Sequence, residues 1–98
     1  VRAGADAIDS ALVALRAERM RFMDAAARIK PHRSAVRDEA RKAQVITQAA
    51  AQAAAAGLPA GLVETLWELL VEASIAHELA RFDALHGSNS AREVPLQG

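Results

Sequence analysis

Ninety-eight residues with twelve basic and twelve acidic side chains carry no formal net charge, which argues against a coat for nucleic acid or for an anionic membrane. So short a chain makes one small domain with a limited core, and the absence of cysteine removes disulfides, thiolate catalysis and the usual zinc clusters. Alanine is abundant, β-branched and aromatic residues are scarce, and no Asn-Gly or Asp-Gly turn divides alternating segments, so the expected fold class is all-α. No apolar run approaches the roughly 20 residues of a membrane span. The opening Val-Arg-Ala-Gly-Ala-Asp has no hydrophobic stretch of the signal-peptide kind, and without a methionine it is expected to start short of the natural N-terminus. A reducing, cytoplasmic setting is the expectation.

The first helical pattern runs from about Ala5 to Ile29. Ile8, Leu12, Leu15, Phe22, Ala26 and Ile29 recur at alternating steps of four and three, with Arg19 inside the series. Pro31 ends it, because the residue before a proline is pushed out of helical geometry. Ser34 or a close neighbour is expected to cap a second helix from about Val36 to Ala56, whose alanine run reads as close-packed helix. Gly57-Leu58-Pro59 is a stop signal, glycine past one helix end and proline opening the next. The third helix covers about Ala60 to Leu85 and holds Trp67. From Gly87 a polar stretch begins, so residues 1–86 form the expected domain and 87–98 a flexible tail. A first helix of roughly 40 Å is longer than a three-helix globule of this size needs, and a symmetric partner chain is the natural cover for its stripe.

Charges occupy places where apolar residues belong. Arg19 lies on the stripe of the first helix, so it reads either as a snorkelling or ion-paired structural cation, or as a functional one. Lys30 follows eleven residues later, about 1100° of helical rotation, and points nearly the same way roughly 16 Å on. By itself it reads as a lysine favouring the helix dipole. On the third helix Trp67, Val71, Ser74 and Glu78 share a face, so Glu78 continues a buried stripe. A desolvated carboxyl group there would hold its proton more readily, unless it forms a salt bridge with Arg19. Arg37, Arg41 and Lys42, with Asp38 beside them, open the second helix, where a solvated face and an anion site are both open readings.

Arg2, then Ala7-Ile8-Asp9, the run Ala14 to Arg19, Ile29-Lys30, Val36-Arg37-Asp38 with Arg41, and the run Leu66 to Ile75 followed by Glu78, together resemble the helical class of chorismate mutases. The resemblance covers about residues 1 to 86. It implies three-helix chains interlocked as a homodimer, with the long first helices spanning both active sites. It further implies the Claisen rearrangement of chorismate to prephenate in the shikimate pathway, toward aromatic amino acids, with no cofactor and no metal. By resemblance, Arg2 of one subunit and Arg19 of the other hold the substrate carboxylates, aided by Arg41. Lys30 donates to the ether oxygen and a carboxylate, Asp38 helps hold the region of the ring hydroxyl, and Ser74 lines the pocket. Helical geometry agrees, since Arg2 stands seventeen residues, roughly 25 Å, before Arg19 and on another side of the helix.

Two positions depart from the family pattern. The residue matching Glu78 is often glutamine, so a glutamate there donates to the ether oxygen only when protonated. The acidic residue that usually follows the Arg41 position is here Lys42. That second departure favours isochorismate pyruvate lyase, which uses a similar scaffold; the first does not. A mutase acting on the 4-amino relative of chorismate is disfavoured, because Lys42 would repel an ammonium. A non-catalytic helical dimerisation module would show Arg19 and Glu78 closed on each other without a cavity. Nucleic-acid binding rests only on the basic stretch Arg28 to Lys42. Ser74 and His77 stand one turn apart but without an evident orienting acid, which discounts a hydrolase. His32, His77 and His86 have no metal-ligand spacing.

Overall fold

In the computed structural model the backbone is described for residues 1–97 and the side chains for residues 1–59 and 61–87. Three α-helices and one 3-10 turn make up the chain, with no strand among the described residues. None of these helices is long and apolar enough to cross a membrane. Helix α1 (Arg2–Ile29) begins three residues earlier than its apolar pattern and stops at Lys30, whose backbone turns extended (φ −74°, ψ 134°) ahead of Pro31. The Lys30 N–H still donates to Ala26 O at 3.1 Å, so this side chain leaves from the last closed turn of the helix.

Ser34 lies within the 3-10 turn (Arg33–Ala35) and caps nothing. The cap of α2 (Glu39–Ala55) is Asp38, whose Oδ1 accepts from the Arg41 N–H at 3.0 Å. An aspartate satisfies an otherwise orphan N–H and places a negative charge at the positive helix end, so the helix starts three residues later than its apolar pattern. Its other end follows expectation. Gly57 takes φ 78°, its N–H reaches Ala54 O at 3.1 Å, and Leu58 N–H reaches Ala53 O at 2.8 Å, the paired bonds of a Schellman motif. Pro59 O then accepts from Val63 N–H as α3 (Ala60–Gln97) begins. Helix α3 runs to Gln97, past the end expected near Leu85, so the backbone is helical over 87–97 where a tail was expected; side chains from Ser88 onward lie outside the described residues.

Helix α3 is the spine. It packs against both α1 and α2, while α1 and α2 do not pack against each other, so a cleft opens between them over α3. One cluster joins Ala27, Val36, Val71, Ile75 and Phe82, and a second joins Ala49, Ala53 and Val63, with Trp67 touching both. The alanines let α2 come close to α3, but they contribute little buried area, and among the described residues no large side chain is fully buried. The stripe predicted for α1 is not what faces α3. Ile8, Leu12, Leu15, Phe22 and Ile29 are all exposed, and the packed face is Met23, Ala26, Ala27 and the two cations Arg19 and Lys30. Every residue from Val1 to Leu15 is exposed. The chain presents 7103 Å² to solvent, against about 5400 Å² expected for a compact monomer of its mass, and these fifteen residues contribute to the excess.

Candidate active site

The cleft between α1 and α2 has a volume of about 350 Å³. α1 contributes Arg19, Met23 and Lys30; the first turns of α2 contribute Asp38, Arg41, Lys42 and Val45; α3 forms the floor with Val71, Ser74, Ile75 and Glu78. Of the residues singled out in the sequence, Arg19, Lys30, Asp38, Arg41, Lys42, Ser74 and Glu78 therefore line one cavity. Arg2 does not, because it sits exposed at the far end of α1.

Helical spacing explains the convergence. Arg19, Met23, Ala26 and Lys30 follow one another at four, three and four residues along the face of α1 that meets α3. Val71, Ser74, Ile75 and Glu78, at steps of three, one and three, share one face of α3, which leaves a serine and a carboxylate inside an otherwise apolar face. Glu78 is 4% exposed, and Lys30 Nζ donates to its Oε2 at 2.5 Å. The salt bridge anticipated between Glu78 and Arg19 is thus made with Lys30 instead. Arg19 donates through Nη1 to Ser74 Oγ, and the Ser74 hydroxyl in turn donates to Leu70 O at 2.8 Å. Burial, then the nearby charges of Arg16 and Arg41, hold the Arg19 guanidinium below its ordinary value. An arginine stays charged regardless, so the cleft keeps a partly desolvated cation that lacks a carboxylate partner among the described residues.

On the opposite wall the Arg41 guanidinium donates to Gln44 Oε1 at 2.8 Å and meets no other side chain among the described residues. Lys42, with its side chain 16% exposed, donates to Glu68 Oε1 at 2.6 Å and to Glu72 Oε2 at 2.7 Å. Arg37 lies outside the cleft and forms a forked pair with Glu72, at 2.7 and 3.0 Å, and a further bond to Glu39. Sequence reasoning missed Glu68 and Glu72. Their spacing of four residues placed them on one face of α3, but nothing in the sequence said that this face meets the start of α2.

His77 does have an orienting acid, contrary to expectation. Its Nε2 lies 2.6 Å from Asp24 Oδ1, which also receives Arg81 Nε at 3.4 Å. Ser74, however, is engaged with Arg19 and Leu70, so no serine–histidine relay exists. The arrangement can instead bind an anion between cations from two helices, with a buried carboxyl group facing the same space. Such a site stabilises charge and holds a conformation without supplying a nucleophile.

A comparison with curated proteins gives no match. Residues 1–79 match the family model described as chorismate mutase type II, an all-helical family, and the chain belongs to that family.

Proposed function

We propose that the protein is a chorismate mutase acting as an intertwined homodimer, each active site completed by Arg2 of the partner subunit. The observation that carries this reading is the gathering of Arg19, Lys30, Arg41 and Glu78 around one cleft in a chain of this family. In the rearrangement the ether C–O bond breaks as a C–C bond forms within the same molecule, so no group is transferred to the protein. The cations clamp the carboxylates of the reactive diaxial conformer, and Lys30 meets the negative charge growing on the ether oxygen. Asp38 holds the first turn of α2 in place and faces the cleft beside Arg41. Glu78 holds the Lys30 ammonium from the floor of the cleft, on the side where the ether oxygen would lie.

Support for the dimer is the exposed stripe of α1. Fifteen residues without intrachain burial, carrying Ile8, Leu12, Val13 and Leu15, form too long an apolar surface for a lone chain in water. A symmetric partner covers it and brings Arg2 toward a cleft it cannot reach within its own chain.

The test is incubation of the purified protein with chorismate and, separately, isochorismate at pH 5 and pH 7.5, with products identified. Prephenate from chorismate is the expected product, with isochorismate left intact. Salicylate and pyruvate from isochorismate, with chorismate left intact, would transfer the assignment to a lyase, the reading favoured by Lys42 in the cleft wall. Loss of neither substrate overturns both.

A further inference from the structure

The four cations of the cleft are not equivalent. Glu78 answers Lys30, and Glu68 with Glu72 answers Lys42, whereas Arg19 and Arg41 meet no carboxylate within ion-pair distance among the described residues. A dicarboxylate substrate finds its strongest partners in unanswered guanidiniums, which bind carboxylates in a fork. Its ring hydroxyl, in chorismate, then falls to the start of α2, where Lys42 stands beside Asp38.

Lys42 has three ammonium protons. Two are committed to Glu68 and Glu72, which leaves one donor and no acceptor. Two carboxylates from α3 hold the group, so it is fixed rather than free to swing. Glu72 is itself gripped from the other side by Arg37. The bonds from Arg37 and then Lys42 draw the Glu72 carboxyl group down to about 2, so it carries its charge throughout the working range. Both cations of this network flank Asp38 at the start of α2, and Glu68 and Glu72 belong to α3. The network therefore also fixes the turn from which Asp38 and Arg41 reach the cleft.

We propose that Glu72, with Glu68, is a positioning residue that sets Lys42 as a donor-only corner of the cleft, selecting a substrate oxygen there and refusing an ammonium. The proposal rests on the reading of the cleft as a site for chorismate-like dicarboxylates. A site that presents only a donor rejects a second donor because both are left unpaired, and selectivity follows from that mismatch as much as from the favoured contact.

The experiment compares chorismate with 4-amino-4-deoxychorismate, in which an ammonium replaces the ring hydroxyl. Calorimetric Kd and, where turnover occurs, kcat and KM are measured for the wild-type dimer, Lys42→Gln and Glu72→Gln. The wild type is expected to favour the hydroxyl compound by about tenfold or more, the size of one mismatched polar contact. Lys42→Gln should erase most of that preference. Glu72→Gln should weaken it in part and raise KM for chorismate several-fold with kcat close to the wild-type value, a split that a loss of stability alone does not produce. An unchanged preference in Lys42→Gln overturns the proposal, as does a fall in kcat at constant KM in Glu72→Gln. If the wild type binds both compounds but converts neither, the mutase reading fails while the ratio of Kd values still decides this one. If it binds neither, both readings fall.

Discussion

From Arg19 to Lys30, α1 lies on α3 and lines a cationic cleft; from Arg2 to Leu15 every residue of the same helix is exposed. Both halves carry the same apolar rhythm of fours and threes. In neither half do the large apolar residues face α3, since Phe22 and Ile29 are as exposed as Leu12 and Leu15. The intrachain contact is made by the small and flexible residues Met23, Ala26 and Ala27, beside two cations whose charges are answered or aimed into the cleft. An amphipathic pattern thus states that a face will be covered, and leaves open which molecule covers it. In this chain the stripe of large apolar residues on α1 is the one without an internal partner.

The sharpest way to break the contrast between the halves is to disable each separately. Lys30→Ala is expected to lower kcat by about 10² to 10³, the range for loss of one donor aimed at developing charge. Arg2→Ala, at the opposite end of the helix, should also lower kcat/KM, by about tenfold or more, through the partner's site. When the two variants are unfolded and refolded together, mixed dimers place both changes in one site and leave the other intact. Recovered activity is therefore expected, and its absence would mean that Arg2 does not serve a site containing the partner subunit's Lys30.

A smaller effect is expected from Leu12→Asp, which adds a charge to the exposed half without touching the cleft. Burial of one leucine contributes about 1.5–3 kcal/mol, and symmetry counts it twice. Sedimentation at micromolar concentration should show a shift toward monomer, with activity falling in step and recovering at higher protein concentration. An unshifted boundary would remove the stripe from the dimer interface.

The smallest effect concerns the packed half of the molecule. The folded-state pKa of Glu72 is depressed from 4.5 to about 2, so its contribution to stability is complete above about 4.5 and disappears as pH falls through about 2. The Tm gap between wild type and Glu72→Gln should be constant from pH 7 to pH 5 and narrow below pH 4. A gap that stayed constant down to pH 2 would show that the carboxylate's bonds to Arg37 and Lys42 do not carry it.

Several features of the fold were legible in the chain because their causes are local. Pro31 ends α1 by steric clash, Gly57 ends α2 by its positive φ, and Trp67, Val71, Ser74 and Glu78 share a face because helical rotation puts them there. Arg19 and Lys30 were placed on one side of α1 by the same arithmetic. The cap of α2 was misplaced at Ser34, since two polar side chains competed for the role and only the path of the 3-10 turn chose Asp38.

What the sequence determined by itself, then, is the three helices, the stops at Pro31 and Gly57 and the angular position of each side chain, all set by torsions and contacts within a few residues. Tertiary structure alone decided which charge meets which: Glu78 with Lys30 rather than Arg19, Lys42 with Glu68 and Glu72, and His77 with Asp24. These pairs lie 26 to 53 residues apart. Periodicity fixes an angle around a helix axis, whereas a pairing across helices also needs the axial offset and tilt of one helix on another. Those are set by how the alanines and Val36, Val71, Ile75 and Phe82 fit together, a property of packed shapes that no single helix contains.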